Sequence, residues 1–186
     1  SIARCYSGAM PACQPPMPAI WLISDARNDA ALDAALDRLS RGSGLVFRHY
    51  HLKPAERRAR FAALRRRARA RGIAVVLAGT MQQARCWGAD GAYGPARMLA
   101  QGPAGLRLVT VHSLAELARA RRADAVLLSP VFPTRSHPGG KVLGPLRFRL
   151  LAARARVPVI ALGGMGPRAA RRLCWPRWAA IDSFIG

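Results

Sequence analysis

Short apolar runs alternate along the chain with longer segments rich in Ala and Arg. The runs are AIWLIS (19–24), GLVFRHY (44–50), IAVVLA (73–78), DGAY (90–93), LRLVTV (106–111), ADAVLLS (123–129), VPVIALG (157–163) and WAAIDSF (178–184). Most are continuous rather than alternating, the pattern of parallel strands covered on both faces. The segments between them predict helices over about 29–40, 54–71, 80–87, 95–101, 113–122, 145–155 and 167–173. Pro54 and Pro167 suit first-turn positions, and Ser113 with Glu116 after it predicts a helix cap.

Strands alternating with helices imply right-handed crossovers and a parallel sheet. Eight such units fit a compact (β/α)8 TIM barrel with a truncated last unit, and an open doubly wound sheet is the alternative. The 186 residues suit one domain with a real core. Residues 1–18 read as an irregular lead-in and 19–186 as a single barrel domain. No run is long enough for a transmembrane helix and the lead-in has no apolar signal core, so the expected location is cytoplasmic. Cys5, Cys13, Cys86 and Cys174 form no zinc-like spacing and read as free thiols, with a Cys5–Cys13 contact left open.

Thirty Lys and Arg against nine Asp and Glu give a net charge of +21, and Lys53 and Lys141 are the only lysines. Such basicity suits nucleic acid or anionic ligands. The densest run, ERRARFAALRRRARARG (56–72), places Phe61, Leu64 and Ala68 on one apolar stripe and the arginines elsewhere, the pattern of a solvated helix face. No aromatic stacking motif accompanies it, so non-specific affinity at low salt is expected and no specific nucleic acid.

In a barrel the strand C-terminal ends form the active face, and polar residues cluster there. The loop SPVFPTRSHPGGKVLGP (129–145) carries Thr134, Arg135, Ser136, His137 and Lys141, a set able to complete an anion site. The turn LGGMGP, with Gly163 and Gly164, lets the backbone approach a ligand, and phosphate sites often lie after strands seven and eight. Arg48 within an apolar strand needs an anion or a carboxylate, and Asp25 is its plausible partner. Thr110 and His112 end the fifth strand, and a neutral His112 could move a proton or anchor the strand end. Asp182 and Ser183 come from the eighth. His49 and His51 share a strand face, metal-compatible spacing without a clear third ligand.

Together these segments resemble the thiamine phosphate synthase/TenI superfamily, and the chain reads as a divergent member. VFPTRSH (131–137) resembles the synthases' G-P-V-F-x-T-x-T-K loop, VPVIALGGM (157–165) their P-V-x-A-I-G-G-I turn and AIWLISD (19–25) their first strand. WGADGAYG (87–94) resembles their G-A-D-G-V-H-L-G, and VTVHSLAEL (109–117) a segment shared with TenI-type thiazole tautomerases.

The resemblance implies a barrel enzyme of thiamine biosynthesis. A synthase joins hydroxymethylpyrimidine diphosphate to thiazole phosphate: diphosphate leaves, assisted by magnesium, and the thiazole nitrogen captures the pyrimidine cation. Arg48 then matches the diphosphate-binding Arg, Thr134 and Ser136 the sixth-loop hydroxyls, Gly164 the phosphate-binding glycine and Ser183 the Ser near the eighth strand. Thr110 aligns with the family's Ser on strand five, and His112 with the TenI-type histidine. His137 stands where the family has Lys.

Other positions depart from the pattern. The family's Gln before the Arg is Phe47, and the Lys after it is Tyr50. The residue pairs that supply its magnesium carboxylates are Ala78-Gly79 and Pro95-Ala96 here. Any magnesium would be carried by the diphosphate substrate, with Arg48, Arg97, Arg135 and Lys141 available to replace it. The expected partners are small phosphorylated pyrimidine and thiazole ligands. A TenI-like thiazole tautomerase, or a silent thiazole or thiamine phosphate-binding barrel, is the alternative.

Overall fold

The structure, a computed structural model, describes residues 16–135 and 139–184. Its strands are β1 (Ile20–Ile23), β2 (Gly44–Phe47), β3 (Ala74–Ala78), β4 (Gly91–Pro95), β5 (Leu106–Val111), β6 (Ala125–Leu128), β7 (Val159–Leu162) and β8 (Trp178–Ala180). Each pairs in parallel with the next, and β8 pairs with β1, so the sheet is a closed barrel and the open-sheet alternative is overturned. The connections hold α1 (Leu32–Arg38), α2 (Pro54–Ala70), α3 (Met81–Trp87), α4 (Ala96–Leu99), α5 (Leu114–Arg119), α6 (Gly144–Ala152) and α7 (Pro167–Leu173). No helix is long and apolar enough to cross a membrane among the described residues.

Period-two alternation divides the strand side chains into two cores. Trp21, Ile23, Val46, Val76, Tyr93, Leu108, Leu127, Ile160 and Ala179 point into the barrel. Leu22, Leu45, Phe47, Val75, Leu77, Val126 and Leu128 point outward, against a helix layer that includes Leu36, Phe61, Leu64, Phe148 and Leu173. Trp21 plugs the interior, and Gly44 makes room for it: a Cβ at Gly44 would lie 2.2 Å from the indole.

Several boundaries differ from the sequence expectation. The segment 29–40 splits into a 3-10 turn over Ala26–Ala31 and α1. β2 ends at Phe47, so Arg48 sits beyond the strand rather than within it. β8 ends at Ala180, which leaves Asp182 and Ser183 in the following turn. Ser113 caps α5 as expected, but the Glu116 carboxylate accepts from the His112 amide (2.8 Å). Cys86 and Cys174 are free and exposed, and Cys5 and Cys13 lie outside the described residues.

The arginines of α2 depart from a simple solvated face. Arg60 bonds Asp29 and Asp33, Arg67 pairs with Asp37, and Arg69 reaches Asp90. Arg65 and Arg69 both donate to the Gly88 carbonyl, and Arg71 donates to the Asp37 carbonyl. These bonds tie α2 to its neighbours on either side.

The β1–β8 seam is tied by Asn28. It is buried, and its Nδ2 donates to the carbonyls of Ile23 (2.9 Å) and Ile181 (3.0 Å), one beside each strand, while its Oδ1 accepts from the Asp25 amide (2.8 Å). The rings of Trp178 and Phe184 stack over the same seam, 5.4 Å apart. Replacing Asn28 with Ala strands three polar backbone groups and is expected to lower unfolding stability by about 1–3 kcal/mol. Chemical denaturation checks this, and an unchanged midpoint would contradict the seam's role.

Candidate active site

The inward alternation continues past the strand ends. Beyond Val46 it presents Arg48, beyond Leu108 Thr110 within β5 and His112 after it, beyond Leu127 Ser129, and beyond Ala179 Ile181 and Ser183. All of these line a cavity of about 970 Å3. Tyr93 helps form its floor; burial pushes this phenol up to about 12, against the lowering effect of Arg48, so it stays protonated and can donate.

The cavity also takes Thr134, Arg135 and Lys141 from the loop after β6, and Gly163 and Gly164 from the turn after β7. Arg48, Thr110, His112, Thr134, Arg135, Lys141, Gly163, Gly164 and Ser183 thus line one cavity. Ser136 and His137 lie outside the described residues. Arg97, on α4, is not among the lining residues. Tyr50 and Ser129, not singled out for the site, do line it.

The loop after β6 is laced onto the turn after β7. Val131 and Phe132 donate their amides to the carbonyls of Leu162 (2.9 Å) and Gly163 (3.0 Å). Leu143 and Gly144 close the loop base on the carbonyls of Pro130 and Val131. The glycines permit this contact: a Cβ on Gly163 would lie 2.7 Å from Pro130 Cα, and one on Gly164 2.6 Å from the Pro133 carbonyl oxygen. Both have positive φ, 94° and 61°, which costs other residues strain. Ser183 Oγ donates to the Met165 carbonyl at 2.6 Å, so its proton is already engaged while its lone pairs remain.

Arg48 is held from four sides. Its amide donates to Ser24 Oγ (2.8 Å), and its carbonyl accepts from Arg57 Nε (3.0 Å). Its guanidinium lies 3.9 Å from Asp25 Oδ2 and 5.7 Å from the Tyr50 ring centre. Burial alone would raise the Asp25 carboxyl, but hydrogen bonds from Arg27 and the charges of Arg27 and Arg48 hold it below the usual carboxylate range. The expected Asp25–Arg48 pairing is therefore present, at long range and shared with Arg27.

His49 and His51 do share a face, with ring centres 5.0 Å apart, but it is not the cavity face. His49 is buried, has a positive φ of 35°, and places Nδ1 2.7 Å from Ser24 Oγ. Its Nε2 lies 2.8 Å from Asp29 Oδ1 but off the line of a well-formed hydrogen bond. Asp29 is the third potential ligand that sequence spacing could not reveal: Asp29, His49 and His51 bring ligand atoms within 4.8 Å of one another. The same Asp29 oxygen, however, accepts from Arg60 Nε (2.9 Å) and lies 2.8 Å from its Nη2, so a guanidinium already supplies the positive charge there. We read Ser24, His49, Asp29 and Arg60 as a relay supporting Arg48.

Burial holds the His49 imidazole below its ordinary value, with Asp29 opposing it. Below about pH 6.5 the unfolded chain takes up this proton while the native state resists it. Stability is therefore full above about pH 6.5 and is lost as pH falls through the depressed native value. Melting temperature is expected to fall between about pH 7 and pH 5, and His49→Gln to flatten that slope. An equal slope in the variant would remove His49 from the relay.

His112 Nδ1 lies 2.9 Å from the Ser129 carbonyl oxygen. A carbonyl only accepts, so Nδ1 carries a proton, and in the neutral ring Nε2 holds the lone pair. With His112 lining the cavity, the ring can act as a base or, once protonated, an acid.

The family model of thiamine monophosphate synthase matches residues 20–176. The chain belongs to the thiamine monophosphate synthase family. Among curated proteins, "Putative thiamine-phosphate synthase 2" of Aquifex aeolicus is 38% identical over 58 residues, which are 30% of this chain and 31% of that protein. The match spans about a third of that relative's length. Among solved structures, thiamine phosphate pyrophosphorylase from Pyrococcus furiosus superposes with a TM-score of 0.74 at 22% identity, covering 89% of this chain and 86% of that one. The thiamine phosphate pyrophosphorylase of Bacteroides thetaiotaomicron gives 0.59 at 15% identity, covering 90% and 84%. At these identities the two structures establish the barrel.

The family's magnesium does not fit the residues present. Asp182 is the one carboxylate among the described lining residues, and Arg27 lies 3.8 Å from it. A hard divalent ion needs several oxygen ligands, commonly carboxylates. At Ala78-Gly79, where the family resemblance puts an Asn-Asp pair that supplies a magnesium ligand, this chain has no carboxylate. The Ala78 carbonyl is taken by Arg57 Nη2 (2.8 Å).

Proposed function

We propose that the chain is a divergent thiamine phosphate synthase, joining hydroxymethylpyrimidine diphosphate to thiazole phosphate with release of diphosphate. The observation that carries this reading is the convergence of Arg48, Thr134, Lys141, Gly164 and Ser183 on one cavity at the strand C-terminal ends. By the family resemblance Arg48 matches a diphosphate contact, Gly164 a phosphate-binding glycine, and Thr134 and Ser183 family hydroxyl residues, while Lys141 adds a cation of this chain's own.

In the reaction, the bond from the pyrimidine methylene to the diphosphate oxygen breaks, and both electrons leave with diphosphate. The thiazole nitrogen lone pair then forms the new carbon–nitrogen bond. Diphosphate departure gathers negative charge on the leaving oxygens, and fixed cations stabilise it best where water is excluded. Arg48, Arg135 and Lys141 serve that role, Thr134 contributes a hydroxyl, and Gly163 and Gly164 let the backbone approach the thiazole phosphate. Tyr93 and Tyr50 give the cavity flat surfaces against which rings can pack.

His112 favours a second reading. Its Nδ1 is held by the Ser129 carbonyl, and in the neutral ring Nε2 is left for proton movement, which a TenI-like thiazole tautomerase needs and the synthase step does not.

The test supplies both substrates to purified protein and measures thiamine phosphate. The synthase reading expects product, and Arg48→Ala is expected to lower kcat/KM by roughly a hundredfold or more. No product from the native chain would overturn it, and turnover of the thiazole phosphate tautomer alone, lost in His112→Ala, would establish the second reading.

A further inference from the structure

At one of the two pairs where the family resemblance places magnesium carboxylates, Ala78-Gly79, a guanidinium binds the backbone. Arg57, in the first turn of α2, donates to the carbonyls of Arg48 (3.0 Å) and Ala78 (2.8 Å). It thereby bridges the ends of β2 and β3. Its carbon centre lies 5.8 Å from the Phe47 ring, 5.4 Å from Tyr50 and 5.3 Å from Trp87. Three rings and two carbonyls fix it more firmly than an exposed arginine. Tyr50 touches Arg57 and Arg48 together, so the two guanidinium groups share one ring.

We propose that the cavity binds its phosphate group directly on Arg48, Arg135 and Lys141 with no divalent cation, and that Arg57 is the positioning residue that sets Arg48. The proposal rests on the synthase reading only in taking the ligand to be a phosphate ester or diphosphate. A magnesium ion here would meet one carboxylate, Asp182, and would face the repulsion of the resident cations. Guanidinium groups supply the same neutralisation with directed hydrogen bonds. Arg57 bonds the backbone carbonyl of Arg48, so Arg48 enters the cavity already oriented.

The experiment is calorimetric titration of the full chain with inorganic pyrophosphate, once in EDTA and once in excess magnesium chloride. Affinity in EDTA is expected to equal or exceed that in magnesium, because magnesium neutralises part of the anion beforehand. A loss of about tenfold or more in EDTA, or no binding in either buffer, would overturn the metal-free site.

Arg48→Gln and Arg57→Gln are each expected to weaken pyrophosphate about tenfold or more. Because Arg57 acts through Arg48, the double variant should bind no worse than Arg48→Gln alone. Fully additive losses would overturn the positioning role. Arg58→Gln, exposed on the same helix, should leave affinity unchanged. If Arg57→Gln does not fold, Arg57→Lys keeps the charge but not the fork to two carbonyls, and is expected to weaken binding severalfold. Unchanged affinity in Arg57→Lys would overturn the positioning role.

Failure of the two readings is separable. Metal-free pyrophosphate binding without thiamine phosphate formation would keep this inference and remove the synthase reading. Product formation with strictly magnesium-dependent binding would do the reverse.

Discussion

A cation at the mouth of an apolar barrel is retained only if every part of it is held, and Arg48 meets that condition. Its amide rests on Ser24, its carbonyl on Arg57, and its guanidinium lies near Asp25 and Tyr50. Ser24 in turn contacts His49, which lies against Asp29, which is bound by Arg60. The ends of β1 and β2 and the first turns of α2 are organised around this one residue. The cavity's inner wall follows from it, because the same alternation that aims Arg48 inward turns His49 and His51 away.

The opposite wall rests on a packing constraint. The loop after β6 crosses the turn after β7 so closely that Gly163 and Gly164 leave no room for a side chain. The glycines that would let a phosphate approach thus also let the loop carrying Thr134, Arg135 and Lys141 dock. Site and scaffold share one structural requirement here, and a substitution at either glycine would affect both. High net charge is managed in the same economical way: arginines of α2 bond carboxylates and carbonyls of neighbouring units, so much of the basicity serves as stitching between helices.

The barrel was legible because continuous apolar runs recur with helical spacing between them, and parallel strands covered on both faces demand that pattern. The cavity residues were legible because they follow such runs directly, and strand ends point one way in a barrel. What escaped was set by tertiary contact. Arg57 sits in a run of arginines and differs from Arg58 only in meeting two carbonyls and three rings. Asp29 joins His49 through the fold, at a sequence distance that no spacing rule covers. Asn28 ties a seam between the first and last strands, and Arg48 was expected inside a strand that ends one residue earlier.

The central claim is that protein cations, rather than a metal, hold the anion between Arg48 and the loop laced onto the turn after β7. A crystal structure of the chain grown with pyrophosphate and magnesium chloride tests it most directly. The account predicts diphosphate in the cavity, bonded to Arg48 and to Lys141 or Arg135, with no protein carboxylate on any magnesium. Diphosphate held through a magnesium ion on Asp182 or another carboxylate, with Arg48 turned away, would contradict it.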